Sequence, residues 1–112
     1  MKKCTKLILA ATTMVTLGAF TGLAANAEEN TVKAGFIFLH DENSTYDLNF
    51  INAAKEACDK MGIEYVFKTG IPEGQECYEA ACELADAGCN FVFADSFGHE
   101  DYIIEAAREF PD

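Results

Sequence analysis

Basic side chains are scarce in this sequence. Past residue 27 only Lys33, Lys55, Lys60, Lys68 and Arg108 stand against all nineteen acids, a net charge of −14. A surface of that sign repels phosphate backbones and anionic headgroups, which argues against nucleic-acid and peripheral membrane binding. The acids are spread over helix faces rather than gathered, as solubility alone would place them. Paired-cysteine spacing is also missing. Cys58, Cys77, Cys82 and Cys89 show no C-x2-C pattern, and His40 and His99 have no metal-ligating neighbour in sequence, so neither a metal nor a cofactor is expected. Cys77 and Cys82, on a helix, would point about 140° apart and are not expected to bridge each other. Four cysteines among ample Ile, Val, Phe and Leu read as small buried apolar residues. The G-x-S-x-G elbow that exposes a nucleophilic serine is absent. So is a phosphate-binding loop, because GIPEGQ has neither the lysine nor the spacing.

What is present begins with a leader. Lys2, Lys3 and Lys6 precede an apolar stretch from Leu7 to about Leu23, which closes on Ala25-Asn26-Ala27. A basic start, an apolar middle and a small-x-small exit form a secretory signal peptide, with cleavage expected after Ala27. Thr12, Thr13, Thr16 and Gly18 interrupt the apolar stretch, which falls short of the roughly 20 residues of a membrane span. Cys4 lies ahead of that stretch, so it is not the lipid-modified cysteine of a lipoprotein leader. An exported protein follows.

The remainder alternates in pattern. The run Val32 to Leu39 (VKAGFIFL) is nearly continuously apolar and rich in β formers, as in a strand covered on both faces. A polar loop, HDENSTYD, leads to a helix from about Asp47 to Met61, with Asp47 as its cap and Phe50, Ala54, Ala57, Cys58 and Met61 as its apolar stripe. Glu64 to Lys68 reads as a second strand, and Gln75 to Ala87 as a second helix with a stripe of Tyr78, Ala81, Cys82 and Ala85. Asn90 to Ala94 is a third strand. The last helix, about Glu100 to Glu109, is expected to bury Ile103, Ile104, Ala107 and Phe110 before Pro111 ends it.

This β-α-β-α-β-α order implies an α/β fold of three layers around a parallel sheet. A sheet of three strands leaves edges without neighbours, and a chain this short is marginal alone. Residues 28–112 are therefore expected to be the first, truncated part of a longer protein. Ligands of open parallel sheets settle beyond the carboxyl ends of the strands, where the winding reverses. Taking a flavodoxin-like order of 2-1-3, two loops face each other there. One is His40, Asp41, Glu42, Asn43, Ser44, Thr45, Tyr46 with Asp47 behind it; the other is Asp95, Ser96, Phe97, Gly98, His99. A serine–histidine–aspartate set can be drawn from them, and Asp41 with Asp47 can be drawn as a cation chelate. Hydroxyl, amide and carboxylate groups binding a small polar ligand is the reading we adopt, with Tyr46 or Phe97 as a stacking ring and burial of Phe97 in the core as the alternative. A small self-contained flavodoxin-like enzyme or signalling domain is the second reading of the same pattern.

AGFIFL, the loop ending STYD, IPEGQ, LADAGCNFVFADSFGHEDY and AAREFPD together resemble the N-terminal lobe of the basic membrane protein (BMP) family, the PnrA-like substrate-binding proteins of ABC transporters. The resemblance covers 32–112. It implies part of a type 1 periplasmic-binding lobe and a second lobe of the same polypeptide. It also implies an ABC permease as partner and a nucleoside or purine held between the lobes by Tyr46 with its loop neighbours and by Ser96, Phe97 and Gly98. Relatives often carry a tryptophan just before the T-Y of the first loop. Ser44 stands there in this sequence, which removes a stacking ring from that position.

Overall fold

The computed structural model describes residues 31–112; the expected leader, residues 1–27, lies outside them. Within this range the chain runs β1 (Lys33–Ile37), α1 (Thr45–Met61), β2 (Glu64–Lys68), α2 (Gln75–Asp86), β3 (Phe91–Ala94) and α3 (Glu100–Glu109), with a 3₁₀ turn over Phe97–His99 leading into α3. All three strands are parallel, in the order β2-β1-β3. Lys33 to Ile37 align with Glu64 to Lys68 on one side of β1, and Ala34 to Ile37 with Phe91 to Ala94 on the other. The expected α/β class and the order 2-1-3 are both present.

Period-two alternation in β1 divides its side chains between two layers. Gly35 and Ile37 face α2 and α3, where Ile37, Cys77, Ala80, Ala81, Leu84 and Ala106 form the buried core. Gly35 is what lets α2 come this close. A Cβ there would stand 2.9 Å from Leu84 Cδ1 and 3.2 Å from Cys89 Sγ. On the opposite face, beside α1, Phe67, Phe36 and Phe93 lie in register across the three strands, with ring centroids 5.5 and 5.3 Å apart.

Two helix stripes differ from expectation. α1 is capped by Ser44, whose hydroxyl oxygen accepts from the Asp47 amide at 3.3 Å, and Asp47 is the third helical residue rather than the cap. Its buried line is Asp47, Ile51 and Cys58, while Phe50, Ala57 and Met61 are exposed. Because a carboxylate occupies one inward position, apolarity alone places the stripe a step too far round the helix. In α3 the fully buried residue is Ala106. Ile103 and Phe110 are half-buried, and Ile104 and Ala107 are exposed, because α3 leans on α2 through its small side chains instead of laying its largest ones on the sheet. Among the described residues no helix is long and apolar enough to cross a membrane.

Candidate functional site

β1 continues beyond Ile37 as an extended segment tied to the chain after β2: the Phe38 amide donates to Lys68 O at 2.8 Å, and the Ile71 amide to Phe38 O at 3.0 Å. The tip of β3 is tied to the same segment. The Asp95 amide donates to Ile37 O at 3.1 Å, and Asp95 Oδ1 accepts from the Leu39 amide at 3.0 Å. The strand tips are therefore adjacent, and the loops that leave them form one shelf.

In the first loop, Asp41 Oδ1 accepts from the Asn43 amide at 2.9 Å and from Asn43 Nδ2 at 3.0 Å, an Asx turn that directs both side chains locally. Those bonds hold the Asp41 carboxyl below its ordinary range. Asp47 has no exposed surface, and both its oxygens are engaged. Oδ1 accepts from the His40 amide at 2.9 Å; Oδ2 accepts from the Ser44 hydroxyl at 2.5 Å and lies 3.0 Å from His40 Nδ1. An ionised carboxylate only accepts, so Nδ1 carries the proton of that contact. Burial pushes the Asp47 pKa up, but bonds from Ser44, the His40 amide, Asp95 and the His40 ring outweigh it and hold the carboxyl well below its usual range.

Asp95 behaves in the opposite sense. Burial, its hydrogen bond with Asp47 and the Asp47 charge push its pKa up against the lowering effect of the Leu39 amide. Behind it His99 is fully buried, with Nε2 donating to Ile71 O at 2.8 Å. Its Nδ1 lies 4.0 Å from Asp95 Oδ1, and neither His99 Nδ1 nor Asp95 Oδ2 has a hydrogen-bond partner among the described residues.

The second loop carries Ser96, whose hydroxyl donates to Glu73 Oε1. Glu73 comes from the loop between β2 and α2, which the sequence marks only as a turn. Its carboxylate lies against Gly98, where any Cβ would overlap it. Phe97 projects outward, 89% exposed, and Tyr46 is 60% exposed with its ring 5.0 Å from that of Phe50. Of the two positions open to Phe97, the core is the one it does not take.

The ten residues singled out thus divide by depth. His40, Asp41, Asn43, Tyr46 and Phe97 are exposed on the shelf; Ser44, Ser96 and Gly98 are half-buried at its floor; Asp47 and Asp95 lie beneath it as an acid pair. No nucleophile–base geometry results, since Ser96 pairs with a carboxylate and the ring of His99 bonds inward to Ile71. Asp41 and Asp47 do not converge on a cation, and among the described residues no three His, Cys, Asp or Glu are grouped to hold a metal ion. Cys58, Cys77 and Cys89 are free thiols, so Cys77 and Cys82 do not bridge. Burial pushes the Cys77 thiol up to about 11, which leaves it protonated and unreactive.

Over 100 residues the chain is 34% identical to a purine-binding protein of Brucella abortus (strain 2308), an alignment covering 85% of this chain and 28% of that protein. Among solved structures it superposes on an ABC transporter system solute-binding protein from Conexibacter woesei DSM 14684 with a TM-score of 0.64 and 21% identity, over 72% of this chain and 27% of the other. The chain spans little more than a quarter of the length of either. No family model matches it.

Proposed function

We infer, for a chain that belongs to the basic membrane protein (PnrA-like) family of substrate-binding proteins, that it is the first part of an exported, two-lobed solute binder. It would hand a nucleoside, purine or similar small polar ligand to an ABC permease and perform no chemistry itself. The observation that carries this reading is the Asp95 bridge from the β3 tip to the Leu39 amide, which brings the STY and SFG loops onto one shelf. The exposed rings of Tyr46 and Phe97 flank a floor of hydroxyl, amide and carboxylate groups, a pairing suited to a planar base joined to a sugar. An open shelf supplies one side of a cleft. The second lobe would supply the other and close over the ligand, while the leader at residues 1–27 would carry the protein out of the cytoplasm.

The test is a thermal-shift panel of nucleosides, sugars and amino acids on the intact, full-length protein. A ligand at about 100 times its Kd adds roughly 2.7 kcal/mol to stability, several degrees in Tm for a domain of this class. Stabilisation by purine nucleosides alone is expected. Stabilisation by sugars or amino acids and not by nucleosides would overturn the ligand assignment. Residues 28–112 in isolation, holding half the contacts, are expected to bind the same nucleoside weakly or not at all in calorimetry, and micromolar binding there would refute the two-lobed mechanism.

A further inference from the structure

We propose that Glu73 makes the strand-tip shelf select against phosphorylated ligands, so that the solute is taken as a neutral or cationic molecule and its phosphate ester is refused. The proposal rests on the reading of the shelf as the ligand surface. It starts from where the charges of the shelf lie. Asp41, Glu42, Asp47, Glu73 and Asp95 all sit on the segments that leave the three strand tips, and among the described residues no Lys or Arg does so with a free charge. Lys68, nearest to the tips, is paired with Glu83 on α2; Lys33 binds Glu64 and Ala87 O at the far end of β1; Lys60 pairs with Glu56; and Lys55 and Arg108 stand on the bodies of α1 and α3.

Glu73 is the decisive member of that set because of its position. Its carboxylate accepts from the Ser96 hydroxyl and covers Gly98, so the loop after β2 sets a negative charge directly on the SFG loop. A phosphate arriving at the shelf therefore meets a like charge on the SFG loop. A hydroxyl or amino group meets an acceptor. The repulsion acts over a Debye length, about 10 Å at 0.1 M salt, and fades as salt is added.

The experiment compares adenosine, adenosine 5′-monophosphate and inorganic phosphate on the full-length protein and on its Glu73→Gln variant, by calorimetry at low and high salt. Wild type is expected to bind adenosine at least 100-fold more tightly than the monophosphate. Glu73→Gln is expected to narrow that ratio at least tenfold by gaining on the monophosphate, and the wild-type ratio should shrink at 1 M salt. Wild-type affinities within threefold of each other, or a variant that weakens both ligands equally, would overturn the proposal. If neither adenosine nor its monophosphate binds, the nucleoside assignment has failed, and inorganic phosphate then decides the charge argument separately. Phosphate bound by Glu73→Gln and not by wild type sustains it, and phosphate bound equally by both, or by neither, defeats it.

Discussion

Replacing Asp47 should damage the shelf from beneath. In Asp47→Ala the His40 amide, the Ser44 hydroxyl and the His40 ring lose the acceptor they share. Hydrogen bonds to a charged group are worth about 1.5–3 kcal/mol each, and a stranded buried donor costs about 1–3 kcal/mol. The three are not equal here. The His40 ring is largely exposed and Ser44 half-buried, so both can turn to water, whereas the His40 amide is fixed by the backbone. Asp95 loses both its hydrogen bond with Asp47 and the repulsion of the Asp47 charge, effects of opposite sign. The expected cost is therefore about 2–4 kcal/mol at pH 7, a large share of the 5–15 kcal/mol that holds a typical domain together. Asp47→Asn keeps an acceptor for the amide and should cost about half as much. Acidity supplies a second reading of the same variant. The folded-state pKa of Asp47 is depressed, so its contribution is present above the unfolded carboxylate value of about 3.9 and is lost as pH falls below it. Urea denaturation of the intact wild-type and Asp47→Ala proteins between pH 7 and pH 3 should show the gap closing below about pH 4. A cost under about 1 kcal/mol, or a gap that does not change across that range, would refute the account of Asp47 as an ionised anchor.

Asp95→Asn should behave in the opposite way. Asp95 has a raised folded-state pKa, so the stability of its neutral form is complete below the unfolded value and is lost as pH rises through the folded one. Asparagine stays neutral, still accepts from the Leu39 amide and can donate towards Asp47. The variant should equal or exceed wild type in urea at pH 7 and lose that advantage below about pH 4, and destabilisation by more than about 1 kcal/mol at every pH would contradict this. Gly35→Ala should cost about 1–3 kcal/mol by overpacking against Leu84. With Leu84→Ala added, the double variant should cost less than the sum of the two singles, so strict additivity would show that the contact is not strained. Tyr46→Ala and Phe97→Ala remove exposed rings, so each should leave the denaturation midpoint within experimental error and weaken nucleoside binding by about 1–3 kcal/mol, the usual range for base stacking on an aromatic side chain. Unchanged affinity in both would remove the rings from the site.

The strands were legible because their signal is local. EYVFK, with three consecutive β-forming residues at its centre, matches β2 end to end, and the apolar run around AGFI contains β1. The stripe of α1 was harder, because its first inward position is a carboxylate. Apolar periodicity has no way to mark Asp47 as buried, since what makes its burial tolerable is a set of donors on His40 and Ser44 that converge only once the loop has folded. His99 misleads for the same reason. In sequence it belongs to the SFG loop, but the 3₁₀ turn carries its ring inward to the carbonyl of Ile71, 28 residues away.

Glu73 was not legible at all as a site residue, and its case shows how the shelf is assembled. Parallel connectivity returns every strand to the same edge, so the loop after β2 ends beside the loops after β1 and β3 although it resembles neither in composition. Beside the main-chain bonds from the Gly70 amide to His40 O and from the Ile71 amide to Phe38 O, three side-chain contacts join these loops: Asp95 to the Leu39 amide, His99 to Ile71 O, Ser96 to Glu73. Bonds of this kind fix relative position without extending the sheet, so each loop keeps its outer face free. The acids at the tips therefore have two separate duties. Asp47, fully buried, and Asp95, with a side chain only 5% exposed, hold the loops in register, whereas Glu73 and Asp41, at the surface, set the sign of the field that an arriving ligand meets. Neutralising the first pair should change stability and its pH dependence, while neutralising Glu73 should change ligand choice and its salt dependence. A variant of Glu73 that altered the denaturation profile as strongly as Asp47→Ala would show that this separation does not exist.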